Sequence, residues 1–211
     1  MRMRVLLVVI PLSAWLALPG PGQTDARSDR ARAWDALRAK FPEERYQRHP
    51  LAVEAIMREM ATPSIDNVDH WGLAGLLHDI DIGETSSDLS RHGVVGAQIL
   101  RGLGFPADVV HAVLAHDDRP GVARTSRLDH AVYCADQLYH LVGAADYTIP
   151  SDKLNTAIPA AIWELAQQSP SKRAILGKVT QECGAIGLSM PQAIAAVQSA
   201  SKKLSRKAAG K

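Results

Sequence analysis

Hydrophobic residues recur every three or four positions along most of the chain, which is the spacing of one face of an α-helix. Stripes of this kind begin at Trp34, Leu51, Val68, Val95, Val109 and Leu128. No segment shows the alternation of apolar and polar residues that is typical of a half-buried β-strand. The sequence therefore predicts an all-α protein, with these stripes packed together in its core.

Local signals at the ends of the stripes predict where helices begin and end. Pro42 predicts the end of the first helix, and Ser90 predicts the N-cap of the helix that contains Val95. Ser126 and Asp129 have the spacing of a capping box, which predicts another helix start. Since proline is tolerated in the first helical turn, further helices are predicted to begin near Pro159, Pro170 and Pro191.

The first residues of the chain resemble a targeting segment. Arg2 and Arg4 precede the apolar run Val5–Leu18, and prolines and glycines follow it. This pattern over residues 1–24 predicts a secretory signal peptide and therefore a periplasmic or secreted protein. The alternative is a cytoplasmic protein with a misassigned start. Because the run is short for a bilayer, no stable membrane span is expected.

The remainder divides by composition into three parts. A metal-binding helical core is predicted over residues 28–148, a C-terminal helical extension over 149–200, and a basic tail over 201–211. The polar stretch around Pro150 marks the junction between the core and the extension. The tail has five basic residues and no acidic one, and it is predicted to be a solvated helix end.

Charge is distributed unevenly along the chain, whose formal net charge is +2. Between His49 and His140 there are thirteen acidic and six basic residues, and this window contains all eight histidines. A basic nucleic-acid groove would need the opposite balance, so no nucleic-acid partner is predicted. An acidic, histidine-rich centre instead suits a bound cation.

The two cysteines, Cys134 and Cys183, are too few for a disulfide framework or a zinc ribbon. Both fall on apolar helix faces, and they are predicted to be core residues.

Some polar residues also lie on apolar helix faces, where burial makes them candidates for a chemical role. His78 and Asp79 end one apolar stripe, and Asp136 lies within another. Because a carboxylate on a core-facing stripe is costly unless it is paired or bound to a metal, these groups are candidate metal ligands.

The order His49, His78-Asp79 and Asp136 resembles the HD superfamily of metal-dependent phosphohydrolases. The context is similar to a bacterial HD-domain subgroup in the segments HPLAVEAIMREMA, WGLAGLLHDIDIGE, RHGVVGAQILRGLGFP, AVYCADQLYHLV and PSDKL. The resemblance runs from about Arg32 to the 190s. It implies an HD-domain helical bundle, with Asp79 and His78 as catalytic residues and one or two divalent metal ions (Mn, Fe, Mg, Co, Ni or Zn).

The resemblance also implies the ligands of these ions. His49, His78, Asp79 and Asp136 would hold the first ion. Asp79 would bridge to a second ion held by His92 and His116. Asp117 stands where many two-metal members have another histidine, which weakens the prediction of the second position.

For other polar residues near these positions, the sequence predicts structural roles. Pro50 directly after His49 predicts that the second helix begins at Pro50 and leaves His49 outside it. Asp81 and Glu84 are predicted to be solvated loop acids, and a role as general acid or base is the alternative. The remaining histidines are predicted to lie on ordinary helix faces; they are His70, His111, His130 and His140.

The leading functional prediction is a metal-dependent phosphohydrolase that uses a metal-activated water. Its substrate would be a small phosphorylated molecule or nucleotide, cleaved as a phosphomonoester or phosphodiester. Two alternatives remain open: a di-iron oxygenase of HD fold, and a non-catalytic, metal-stabilised HD binding module. The sequence carries no prediction of an oligomeric state.

Overall fold

A computed structural model describes residues 26–146, 164 and 168–209, and this part of the chain contains helices and no strand. The predicted all-α class is thus confirmed. The helices are α1 (Ala26–Lys40), α2 (Glu44–Met60), α3 (Val68–Leu77), α4 (Ile82–Thr85), α5 (Val94–Gly102), α6 (Ala107–Ala115), α7 (Arg127–Asp146), α8 (Pro170–Ala185) and α9 (Met190–Ala209). A short 3₁₀ turn, Leu89–Arg91, precedes α5.

The predicted leader, residues 1–24, and the predicted helix start at Pro159 lie outside the described residues. Among the helices that are described, none is both long enough and apolar enough to cross a membrane.

Helix α3 lies at the centre of the bundle and carries the His-Asp pair at its end. Every residue from Trp71 to Leu77 is buried, and α3 contacts α1, α2, α6 and α7. A helix that is apolar on all sides is stable only when other elements surround it. Because α3 ends at Leu77, His78 and Asp79 emerge inside the bundle rather than at its surface.

Gly75 allows α2 to approach α3 closely. A Cβ atom at this position would lie 2.9 Å from the carbonyl oxygen of Val53 and 2.8 Å from Cγ of Met57. Both distances are shorter than side-chain contacts allow, so only glycine fits without displacing α2. This contact brings the helix that carries His49 against the helix that His78 directly follows.

The C-terminal helices pack on this core. Helix α8 contacts α7, and α9 contacts α2 and α7. Cys134 of α7 and Cys183 of α8 are fully buried, which confirms that they are core residues. They also form a disulfide bond that the sequence analysis did not predict. Helix α9 continues to Ala209, and Lys203 in the predicted tail forms an ion pair with Glu59 of α2.

Two of the predicted helix starts are confirmed at the level of hydrogen bonds. The Asp129 N–H donates to Ser126 Oγ at 3.1 Å, and the Ser126 N–H donates to Asp129 Oδ2 at 2.9 Å, which is a reciprocal capping box at the start of α7. Ser169 caps α8 by accepting from the Lys172 N–H, with Pro170 in the first turn.

The prediction that Ser90 caps α5 is wrong. Helix α5 begins at Val94 after Gly93, whose φ is 77°, and Ser90 lies in the preceding 3₁₀ turn. A Cβ atom on Gly93 would lie 3.0 Å from the carbonyl oxygen of Val113. The chain therefore turns at the glycine, because the turn requires both a positive φ and a close approach to α6.

The prediction that the second helix begins at Pro50 is also wrong. Helix α2 begins at Glu44, so Pro50 and His49 both lie within it. The proline removes one hydrogen bond, the one its own N–H would donate to the carbonyl of Tyr46. The first turn is held independently, since Gln47 Nε2 donates to the Phe41 carbonyl at 2.7 Å. His49 is therefore presented from a helix face.

Candidate metal centre

The six side chains predicted as metal ligands converge at one place in the bundle, although they come from separate parts of the chain. His49 lies in α2, His78 and Asp79 directly follow α3, His92 precedes α5, His116 directly follows α6, and Asp136 lies in α7. Their convergence is a finding of the structure. Their binding of metal remains a prediction, which the geometry below bears on.

The first cluster consists of His49, His78, Asp136 and one oxygen of Asp79. His49 Nε2 lies 3.0 Å from His78 Nε2, 3.1 Å from Asp136 Oδ1 and 3.4 Å from Asp79 Oδ2. His78 Nε2 lies 3.4 Å from Asp79 Oδ2 and 3.6 Å from Asp136 Oδ1. Two nitrogen and two oxygen atoms thus face a common point.

The second cluster uses the other oxygen of Asp79. Asp79 Oδ1 lies 3.1 Å from His92 Nε2 and 3.6 Å from His116 Nε2, and these two nitrogens are 3.1 Å apart. The two oxygens of one carboxylate therefore face two different pairs of imidazoles. This is the arrangement expected of a carboxylate that bridges two neighbouring cations. Asp117 is not part of it, since its carboxylate accepts hydrogen bonds from Arg119.

Hydrogen bonds to the outer ring nitrogens fix which nitrogen faces the clusters. The Nδ1–H of His78 donates to the Gly75 carbonyl at 2.8 Å, and the Nδ1–H of His116 donates to the Val113 carbonyl at 2.6 Å. A carbonyl can only accept, so both Nδ1 atoms carry protons. When these rings are neutral, the lone pair is on Nε2 and points into the clusters, as metal-binding histidines require.

Asp81 lies against the outer ring nitrogen of His92, and the prediction that it is a solvated loop acid is wrong. Its side chain is fully buried, and Oδ2 accepts hydrogen bonds from the N–H groups of Gly93 at 2.9 Å and Gly96 at 2.8 Å. Oδ1 lies 2.9 Å from His92 Nδ1. Asp81 thus ties the start of α5 to the His-Asp loop and favours a proton on His92 Nδ1. Glu84 is exposed, as predicted, and pairs with Lys40.

The electrostatic field of the clusters is strongly negative. Burial opposes ionisation of Asp79, but the imidazoles of His78, His116 and His49 hold its pKa far below its usual range. Burial likewise opposes protonation of His92, but Asp79 and Asp81 raise its pKa to about 9. The pKa of buried His78 is also raised, against its desolvation, by Asp79 and Asp136. A potential that favours protons on imidazoles also favours a bound cation.

Unsatisfied buried atoms support a metal at the first cluster. Asp136 Oδ1 is buried and has no hydrogen bond within the described part of the chain, although three imidazoles surround it. A buried carboxylate oxygen without a hydrogen bond is costly unless a cation compensates it. Imidazole nitrogen with carboxylate oxygen is the donor set that divalent transition metals prefer. The residues present therefore fit the predicted metal ions.

His140 is a neighbour of the site that the sequence analysis missed. Its Nε2 lies 3.4 Å from Asp136 Oδ1, and its ring stacks on His49 with 4.9 Å between ring centroids, although the side chain is 61% exposed. The signal was its spacing of four residues from Asp136, which places both on one helix face. The other three histidines of that set each pair with a carboxylate outside the clusters: His70 with Asp108, His111 with Asp129, and His130 with Glu182.

The segment that carries both clusters matches a known protein family. Residues 46–141 match the family model of the HD domain, and the match covers the whole of both clusters. The chain carries an HD domain. The resemblance predicted from the sequence is thereby confirmed, together with its helical fold.

Curated relatives of this HD domain are bacterial ribonucleases. The chain is 36% identical over 85 residues to Ribonuclease Y of Pelobacter propionicus, and 34% identical over 85 residues to Ribonuclease Y of Geobacter metallireducens and of Geobacter sulfurreducens. Each alignment covers 39% of this chain and 16% of the relative. The chain thus spans about a sixth of the length of these relatives. No solved structure matches the chain significantly.

The HD domain and its similarity to these enzymes support a metal-dependent phosphohydrolase in general terms. The His and Asp clusters supply residues that could hold the divalent metal. The substrate and the type of ester belong to the proposal that follows.

Proposed function

We propose that this chain is a metal-dependent phosphohydrolase that hydrolyses small phosphate esters. The observation that carries the proposal is Asp79, whose two oxygens face separate imidazole pairs at 3.1 to 3.6 Å. His49, His78, Asp79 and Asp136 would hold one divalent ion. Asp79, His92 and His116 would hold the other.

Divalent metal ions in such a site lower the pKa of water and neutralise charge on a phosphate. The protein supplies the orientation. The hydrogen bonds from His78 to Gly75 and from His116 to Val113 hold the two rings so that each Nε2 faces inward. In the reaction, a water oxygen forms a bond to phosphorus, the ester bond between phosphorus and oxygen breaks, and the departing oxygen receives a proton from the water.

Small esters are favoured over RNA as substrates by the charge around the site. The segment from His49 to His140 is strongly acidic, which repels a polyanion beyond the reacting phosphate. The relatives are named as ribonucleases, however, and they share the segment that contains the ligands. RNA is therefore the competing substrate in the test below, and the absence of a nucleic-acid partner remains part of the proposal.

A second candidate function is favoured by the completeness of the second cluster. A di-iron oxygenase needs both metal positions. His92 and His116 lie close to Asp79, as the second iron position of such an enzyme would require. This candidate predicts two bound iron ions and consumption of oxygen. A non-catalytic binding module would hold metal and hydrolyse no ester.

We also propose that the protein acts in an oxidising compartment after removal of residues 1–24, with the HD core over residues 28–148. The disulfide between Cys134 and Cys183 supports this placement, because such bonds persist outside the reducing cytosol. Sequencing the mature N-terminus of the expressed protein tests it. A mature protein that still begins at Met1 would refute the removal of a leader.

The function is tested with the purified full chain. Bound metals are measured by mass spectrometry, and the protein is assayed against phosphomonoesters, mononucleotides, dinucleotides and RNA. We expect hydrolysis of small esters with wild type and with Asp35→Ala, which alters an exposed carboxylate of α1, and we expect a loss with Asp79→Ala. Full metal occupancy without hydrolysis of any ester would refute the proposal. A preference for RNA would replace the substrate class.

A further inference from the structure

A cavity opens beside the first cluster and is not accounted for by the metal ligands. We infer that it selects phosphomonoesters whose alcohol carries one compact aromatic group, an inference that rests on the proposed function. The cavity has a volume of about 220 Å³ and is lined by Phe41, Arg45, Tyr46, His49, Pro50, Asp79 and Ile82. Two of these residues, His49 and Asp79, are predicted metal ligands, so a molecule in the cavity lies next to the proposed reaction site.

The volume limits the size of the substrate. The cavity volume is about 220 Å³. It is smaller than the roughly 300–1,000 Å³ of cavities that enclose drug-sized ligands. A single ring with a phosphate fits these limits, whereas an oligonucleotide would leave most of its surface outside the cavity.

Apart from Arg45 and the two predicted metal ligands, the lining of the cavity is apolar and aromatic. Tyr46, His49 and Pro50 are spaced as i, i+3 and i+4 in α2, so the same helix face carries the aromatic ring and the metal ligand. Phe41 comes from the connection before α2, and Ile82 from the first turn of α4. Tyr46 is 51% exposed. The face of its ring that Arg45 does not cover can stack on a substrate ring.

Arg45 supplies a positive charge at the same cavity. Its guanidinium carbon lies 4.7 Å from the centroid of the Tyr46 ring, and Nη2 pairs with Glu43 at 2.8 Å. Both partners of that ion pair are more than half exposed, and surface pairs of this kind contribute little stability. The guanidinium can therefore exchange Glu43 for a phosphate, which it binds through parallel N–H donors.

These contacts define the orientation of the substrate. The phosphate would lie between Arg45 and the two metal ligands, and the ring between Tyr46, Phe41 and Ile82. The acidic clusters and the apolar wall both disfavour a second phosphate within the cavity. The substrate is therefore a monoester with a neutral aromatic group rather than a nucleoside polyphosphate.

The test compares benzyl phosphate with ethyl phosphate, whose leaving alcohols are both primary and of similar basicity. A difference in kcat/KM then reports on the ring rather than on the leaving group. We expect wild type to prefer benzyl phosphate by about tenfold, mainly through KM, and Tyr46→Ala to lose most of that preference. Ile65→Ala, which removes an exposed apolar side chain outside the cavity, serves as the matched control and is expected to retain the preference.

Calorimetric binding of benzylphosphonate and ethylphosphonate, which cannot be hydrolysed, gives a second measurement. We expect Tyr46→Ala to weaken only benzylphosphonate, and Arg45→Gln to weaken both ligands alike. Failure to hydrolyse any phosphate ester would refute the proposed function, and the binding data would then decide on the cavity alone. Equal hydrolysis of both esters, with equal binding of both phosphonates, would overturn this inference while leaving the proposed function intact.

Discussion

The disulfide between α7 and α8 should contribute a large part of the folding stability. Cys134 and Cys183 are 49 residues apart in sequence, and closing a loop of this length contributes about 4 kcal/mol in the chain-entropy model. Their Cα atoms are 5.3 Å apart, within the range in which the bond needs no movement of the backbone. Since single domains are stabilised by roughly 5–15 kcal/mol, reduction should remove a substantial fraction of that stability.

Urea unfolding of the oxidised and the reduced wild-type protein measures this contribution directly. Reduction leaves both sulfur atoms in place, so the comparison does not include the cost of a cavity. With a slope of about 2 kcal/mol per molar urea, the midpoint should fall by about 2 M on reduction. The double variant Cys134→Ala/Cys183→Ala is the control, and its midpoint should not respond to the reductant. A shift of less than about 0.5 M in wild type would refute the reasoning.

Three further predictions follow from individual contacts. Asp79→Asn should weaken metal binding by at least about tenfold, measured by equilibrium dialysis, because it removes the charge shared by both clusters; unchanged binding would argue against a bridging role. Gly75→Ala should lower stability by about 1–3 kcal/mol in thermal unfolding, since its Cβ would lie 2.9 Å from the Val53 carbonyl; an unchanged melting temperature would contradict the close approach of α2 and α3. The pKa of Asp129 is lowered, against its burial, by hydrogen bonds from backbone N–H groups at the start of α7 and from His111. A carboxylate with a depressed folded-state pKa stabilises the fold above its unfolded pKa of about 3.9 and loses that effect as the pH falls through the folded value. Asp129→Asn should therefore be less stable than wild type at pH 7, with a difference in urea midpoint that narrows below about pH 4; a difference independent of pH would contradict this role.

Features governed by nearest neighbours along the chain could be predicted from the sequence. The capping box of Ser126 and Asp129 forms as predicted because its hydrogen bonds join residues three positions apart. The start of α8 at Pro170 is local in the same sense. The prediction that Ser90 caps α5 was wrong because the helix begins after Gly93 instead. A glycine is needed at that position because the backbone passes close to α6 there, and this distance is not readable from the sequence.

The prediction about Pro50 was wrong for a related reason. Its local effect, the loss of one hydrogen bond, is real, but the turn before it is held by Gln47 and the rest of the helix packs against α3. Packing contributes more than a single backbone hydrogen bond, so the helix continues through the proline.

The sequence by itself determined the helical class and the identity of the predicted ligands. Apolar periodicity is a local property, and the order of His and Asp residues is read directly from the chain. Only the tertiary structure decided that Asp79 faces two imidazole pairs and that Asp81 is buried behind His92. The physical reason is the separation along the chain between the groups that meet. The imidazoles around Asp79 come from elements that are far apart in sequence, and close contacts such as that at Gly75 set the distances between these elements.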